Sequence, residues 1–105
     1  MRLVIMESPY AGDTEGNTQY ARKCLRDCLM RGEAPLASHL LYTQEGVLDD
    51  DVPAERALGI DAGHAWKDVT NAFVVYTDFG VSPGMHEGIA AAERDGITVE
   101  YRSIL

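Results

Sequence analysis

Three stretches of the chain gather residues able to do chemistry. "SPYAGD" holds Ser8, Tyr10, Gly12 and Asp13, "SHLLYTQ" holds Ser38, His39, Tyr42 and Gln44, and "DFGVSPG" holds Asp78, Ser82 and Gly84. Hydroxyls, an imidazole and carboxylates in such loops suit a small polar ligand. Ser82-Pro83-Gly84 has the form of a helix start, with Ser82 as cap and Pro83 at the first helical position. Free N–H groups and the helix dipole favour a phosphate or carboxylate there, and Gly84 lets it approach closely. The expected ligand is therefore anionic, with its phosphate at Ser82–Gly84. Plainer roles stay open beside these: Ser82 as a cap alone, His39 satisfying a nearby carbonyl, and Gly12 as turn chemistry.

Asp61 follows Ala57 by four residues and Leu58 by three, and precedes Ala65 by four. That spacing puts it on or beside the apolar face of a helix, where a carboxylate is costly unless hydrogen-bonded or functional. Either it bonds loop backbone from within or it faces the ligand crevice, and it is expected to be a pocket residue. "LDDD" (48–51) reads as a cap and solvated turn rather than a metal site. Cys24 and Cys28 lie one helical turn apart with no further ligand types nearby, and a disulfide within one helix is awkward. They read as reduced, buried thiols that pack as small apolar side chains.

The elements that must position these residues follow from periodicity. "RLVIME" (2–7) is a strand buried on both faces. Tyr20, Ala21, Cys24, Leu25, Cys28 and Leu29 mark a helix from about Asn17 to Arg31, stopped by Gly32. "EAPLAS" (33–38) is a short strand that Pro35 places at a sheet edge. A loop to Asp51 leads into a second helix over 52–68, with Asp51 as cap and Ala54, Ala57, Leu58, Asp61, Ala62 and Ala65 inward. "NAFVVYTD" (71–78) is the central strand. A third helix from Pro83 to about Asp95 turns Met85, Gly88, Ile89 and Ala92 inward, and 97–104 is the last strand. The alternation predicts a three-layer α/β/α domain with a small parallel sheet of four or five strands. All three loops then open on the carboxyl edge of the strands, where such sheets bind ligands.

The chain has 105 residues, enough for one core, and 46% of them are hydrophobic. A net charge of −8 argues against a nucleic-acid partner, which needs a basic footprint. No apolar run reaches a membrane span and no leader pattern opens the chain, so a cytoplasmic protein without membrane partner is expected. No cofactor or metal is called for.

The Ser-Pro-Tyr-Ala-Gly loop after the first strand, the Asp on the second helix and "VVYTDFGVSPGM" entering the third resemble the nucleoside 2-deoxyribosyltransferase-like superfamily, over nearly the whole chain. "ESPYAGD", "ASHLLYTQ", "LDDDVP" and "VEYRSI" are similar to a small bacterial and phage family within it. The resemblance implies a flavodoxin- or Rossmann-like fold, a nucleoside or nucleotide ligand, and a homodimer or higher homo-oligomer. It implies ligand contacts at Ser8, Tyr10, Gly12, His39, Asp61, Asp78, Ser82 and Gly84, with the 5′-phosphate at Ser82 and Gly84. For catalysis it points to Asp61 and Glu87, with Tyr10 orienting the carboxylate. The glutamate of the related enzymes would fall at Gly88, while Glu87 stands one residue, about 100°, away on the helix. Little or no release of base from common deoxynucleosides or their 5′-monophosphates is therefore expected of a nucleotide-binding domain of this kind, even where these bind. An N-glycosidase or deoxyribosyltransferase, and a structural or adaptor domain with a degenerate pocket, are the alternative readings.

Overall fold

The computed structural model describes residues 1–105. Four strands, β1 (Arg2–Glu7), β2 (Glu33–Leu36), β3 (Ala72–Tyr76) and β4 (Thr98–Arg102), form one parallel sheet in the order β2-β1-β3-β4. The helices are α1 (Thr14–Met30), α2 (Ser38–Leu41), α3 (Pro53–Ala65) and α4 (Pro83–Arg94), and a 3-10 turn over Trp66–Asp68 extends α3. This is a Rossmann-like α/β arrangement with four strands. No helix is long and apolar enough to cross a membrane.

Alternating strand residues build the two sides of the core. Val4, Met6, Val74 and Tyr76 face Tyr20, Ala21, Cys24 and Cys28 of α1. Ile5 and Phe73 meet Ala92 of α4 on the other face, where Val75 meets Met85 and Ile89. Both cysteines are free and buried, and burial pushes the Cys24 thiol up to about 12. All five residues of β3 are buried, as a central parallel strand requires. Pro35 sits in β2, which pairs with β1 alone.

Several boundaries differ from the sequence expectation. α1 starts at Thr14 rather than Asn17, because the Asp13 carboxylate accepts the Gly16 N–H and caps an earlier turn. The predicted loop after β2 contains α2. Asp51 does not cap α3: Val52 holds that position without a side-chain bond, and Asp51 instead donates its N–H to Asp49. The largest difference is the rotation of α3. Leu58 is 58% exposed, and Ala54, Ala57, Asp61 and Ala65 also face outward. The inward side carries Gly59 and Gly63, and a Cβ on Gly63 would lie 2.8 Å from Ser38 of α2. α3 buries backbone rather than apolar side chains, so the hydrophobic stripe does not mark its inner face.

An ion-pair network ties the two edge strands together. Arg102 donates two hydrogen bonds of 2.7 Å to Glu33, and both side chains are 6% exposed. The Tyr76 hydroxyl accepts from Arg102 at 3.2 Å and donates to Asp27 of α1 at 2.7 Å. Arg2 adds bonds to Glu33 and Glu100. Breaking a buried pair from one side is costly because the remaining charge stays buried. Glu33→Gln is expected to cost about 3 kcal/mol at pH 7 in a denaturant titration. Arg102 holds the Glu33 carboxyl below its ordinary 4.5, so this advantage of the native residue exists above that pH and disappears as acid titrates the folded carboxylate. A penalty of the same size at pH 3 would contradict the assignment.

Candidate functional site

β1 leads to α1 and the left edge of the sheet, whereas β3 leads to α4 and the right edge. The carboxyl ends of these neighbouring strands therefore diverge, leaving a crevice at the switch point. A cleft of about 460 Å³ opens there. Its lining includes Glu7 and Ser8 at the end of β1, His39 of α2, and Ser82, Gly84 and Met85 at the start of α4.

Glu7 is the residue that packing cannot explain. It points to the same side as Ile5, toward α4, and its carboxyl makes no hydrogen bond or ion pair; burial alone raises it from 4.5 to about 7. Space for it comes from Gly88. A Cβ placed on Gly88 would stand 2.8 Å from the Glu7 Oε1 and 3.3 Å from its carboxyl carbon. Beside it, the Ser8 Oγ lies 2.7 Å from the His39 Nε2. Burial lowers His39 to about 4, so its ring is neutral at physiological pH and one ring nitrogen remains an acceptor.

Tyr10 and Tyr42 supply aromatic walls, and the Trp66 indole N–H fixes the Tyr42 hydroxyl at 3.1 Å. The Asn17 side chain donates to the carbonyls of Tyr10 and Ala11, each at 3.1 Å, and so pins the first loop. At the mouth of α4 the Ser82 Oγ accepts the Met85 N–H at 3.3 Å. A Cβ on Gly84 would meet no atom within 4 Å, so the fold itself does not demand glycine there. Arg56 is the one Lys or Arg side chain in the lining, loosely paired with Asp50 at 3.9 Å. His64 also lines the cleft, its basicity lowered by burial and then by Lys67.

The structure thus brings Ser8, Tyr10, His39, Ser82 and Gly84 together around one cleft, with Glu87 exposed at its rim. Three expected residues fall elsewhere. Asp61 is exposed on the outer side of α3 and is absent from the lining, a consequence of that helix's rotation. Asp78 is a fastener for the C-terminal segment: it accepts from Ser103 and Tyr20 at 2.6 Å each and from the Leu105 N–H at 2.9 Å. Those bonds, the Ser103 hydroxyl first, hold its carboxyl well below the usual range. Gly12 turns the first loop at φ +95°, in a more open depression of about 720 Å³ that adjoins the cleft across Tyr10, Ala11 and Thr43. Glu7, Arg56 and His64 line the cleft in addition to the residues expected from sequence. The available signal for Glu7 was a lone acid closing an apolar strand, "LVIME".

A family model described as a domain of unknown function (DUF7768) matches residues 2–102. The chain belongs to the DUF7768 family. The matched DUF7768 span takes in every residue that lines the cleft. No curated protein and no solved structure matches the chain.

The state of Glu7 makes a prediction that needs no ligand. Its folded value lies above its unfolded one, so folding is favoured most below about pH 4.5 and the partly buried charge penalises it fully above about pH 7. Glu7→Gln should therefore raise stability by about 3 kcal/mol at pH 8 and leave it nearly unchanged at pH 4, measured by denaturant titration. A loss of stability at pH 8 would show that the carboxylate has a partner in the folded chain.

Proposed function

We propose that this protein binds a nucleoside or nucleotide in the cleft, with the ligand's phosphate at the N-terminus of α4. The observation that carries the reading is the convergence of an open helix start, aromatic walls and polar side chains at the switch point. The free N–H groups of the first turn of α4 suit an anion, and Gly84 leaves them approachable. Tyr10 and Tyr42 offer faces on which a planar base can lie. The neutral His39 and the Ser8 hydroxyl can exchange hydrogen bonds with sugar hydroxyls. Arg56 adds positive charge to a cleft whose other charged side chains are mostly acidic.

The sequence resemblance to the nucleoside 2-deoxyribosyltransferase-like superfamily agrees with this reading and extends it to a 5′-monophosphate held at Ser82 and Gly84. A second copy of the chain as partner belongs to the same resemblance.

Gly84→Val tests the phosphate position without removing the Ser82 cap. Because the position is open, the variant should fold normally. By titration calorimetry it should weaken a nucleoside 5′-monophosphate by about tenfold or more, the loss of one or two hydrogen bonds to a charged group. The matching nucleoside should change far less. Equal losses for both would place the phosphate elsewhere, with Arg56 the next candidate.

A further inference from the structure

We infer that Ser8 and His39 form a nucleophile–base pair in the cleft, and that the pair removes an acyl group esterified to a sugar hydroxyl of a nucleoside 5′-monophosphate; the chemistry rests on the pair itself, and the class of substrate rests on the nucleotide reading above.

Three observations carry it. First, Ser8–His39 is the only side-chain hydrogen bond of the molecule whose two members both line the cleft. Other hydroxyls of the lining are committed to the fold: Thr43 donates to the His39 carbonyl at 2.6 Å, and Ser82 caps α4. Ser8 faces a base instead, with its Oγ 2.7 Å from the His39 Nε2, within the reach that a serine nucleophile needs of its general base. Second, both groups are held on rigid elements. Ser8 directly follows β1 and is 4% exposed, and Asn17 pins the loop beyond it. His39 rides on α2, which Ala37 and Leu40 anchor in the core, and Gly63 of α3 abuts its neighbour Ser38. Such fixing supplies the near-attack geometry in advance. Third, the cleft suits an acylated ligand. Ile5, Leu48 and Ile60 give it apolar surface that a phosphate and a sugar leave unused. The sugar hydroxyls set against Ser8 and His39 are the oxygens that would carry the ester.

In the reaction, the Ser8 Oγ bonds to the acyl carbon, its proton passes to the His39 Nε2, and a carbonyl electron pair moves onto the carbonyl oxygen. As that pair returns, the bond to the sugar oxygen breaks, and His39 gives its proton to that oxygen. The acyl group now sits on Ser8. A water oxygen then bonds to the acyl carbon and yields a proton to His39, the bond to Oγ breaks, and Oγ recovers the proton. One water is consumed, the products are a carboxylic acid and a nucleoside 5′-monophosphate, and no redox change occurs. The N-glycosidic bond stays intact. Burial, which lowers His39 to about 4, makes it a weak base for the first transfer and a strong acid for the second. That balance suits a sugar alkoxide, which leaves poorly unless protonated.

The test joins covalent labelling to turnover. A fluorophosphonate probe, which reacts with an activated serine whatever its substrate, should add to Ser8, as located by peptide mass spectrometry. Labelling should vanish in Ser8→Ala and slow by about 10²- to 10⁴-fold in His39→Gln. Acetate release from 3′-O-acetyl nucleoside 5′-monophosphates should depend on the same two residues and exceed release from the matching acetylated nucleosides. Ser8→Cys should be alkylated by iodoacetamide at position 8, and a thiol inert there would contradict a nucleophile open to the cleft. An adduct on another residue, with Ser8 untouched, would overturn the assignment. Labelled Ser8 with equal turnover of acetylated nucleosides and their monophosphates would keep the pair and overturn the nucleotide ester as substrate. Monophosphate binding by calorimetry without labelling or acetate release would overturn the pair and leave the nucleotide reading standing. Absence of binding, labelling and release would sink both.

Discussion

The half-buried, unpaired carboxyl of Glu7 is the constraint around which the cleft is arranged. Partly burying a carboxylate without hydrogen bonds from the chain is unfavourable, and this chain does it at the end of a central strand. The surroundings accommodate the group rather than neutralise it. Gly88 yields the volume of a side chain, and the nearby His39 is itself neutral instead of a cationic partner. A chain selected for stability alone would carry an apolar or isosteric neutral residue at position 7. Retaining the acid follows the usual exchange of stability for a poised functional group.

The rest of the fold holds that group in place. Parallel strands that turn to opposite edges create the crevice, and β1 and β3 are the two that flank it. On the far face, the Arg102–Glu33 pair and the Tyr76–Asp27 bond link edge strands, central strand and α1 into one unit. Asp78 then gathers the C-terminal segment against Tyr20. On the near face, α3 approaches α2 through Gly63, closely enough that any side chain there would collide with Ser38. That contact brings His64 and Arg56 of α3 to the same cleft as His39. Its cost is an outer face of α3 that leaves Leu58 and Trp66 exposed.

Legibility from sequence divides along physical lines. Strands, edge and central positions, α1 and α4 were readable because they bury apolar side chains with the period of their element. Met85, Gly88, Ile89 and Ala92 are all buried, as the stripe on α4 predicted. The inner face of α3 is not legible because its inward contact is made by Gly59 and Gly63, and glycine leaves no hydrophobic signal. The error carried Asp61 into the pocket. Asp78 was misplaced for a different reason: its partners, Tyr20, Ser103 and the backbone of Ile104 and Leu105, are far apart in sequence. Glu7 does not stand out in the sequence because a charge at a strand end is ordinarily solvated. Only the three-dimensional pairing of positions 7 and 88 distinguishes it from a surface acid.

The most direct measurement is the titration of the Glu7 side-chain carboxyl carbon by NMR in the native chain and in Gly88→Ala. The account predicts a midpoint at about 7 in the native chain, and a changed midpoint in Gly88→Ala, whose new methyl must displace the carboxyl. A native midpoint near the ordinary 4.5, unmoved by Gly88→Ala, would show a solvated acid outside the notch and contradict the account.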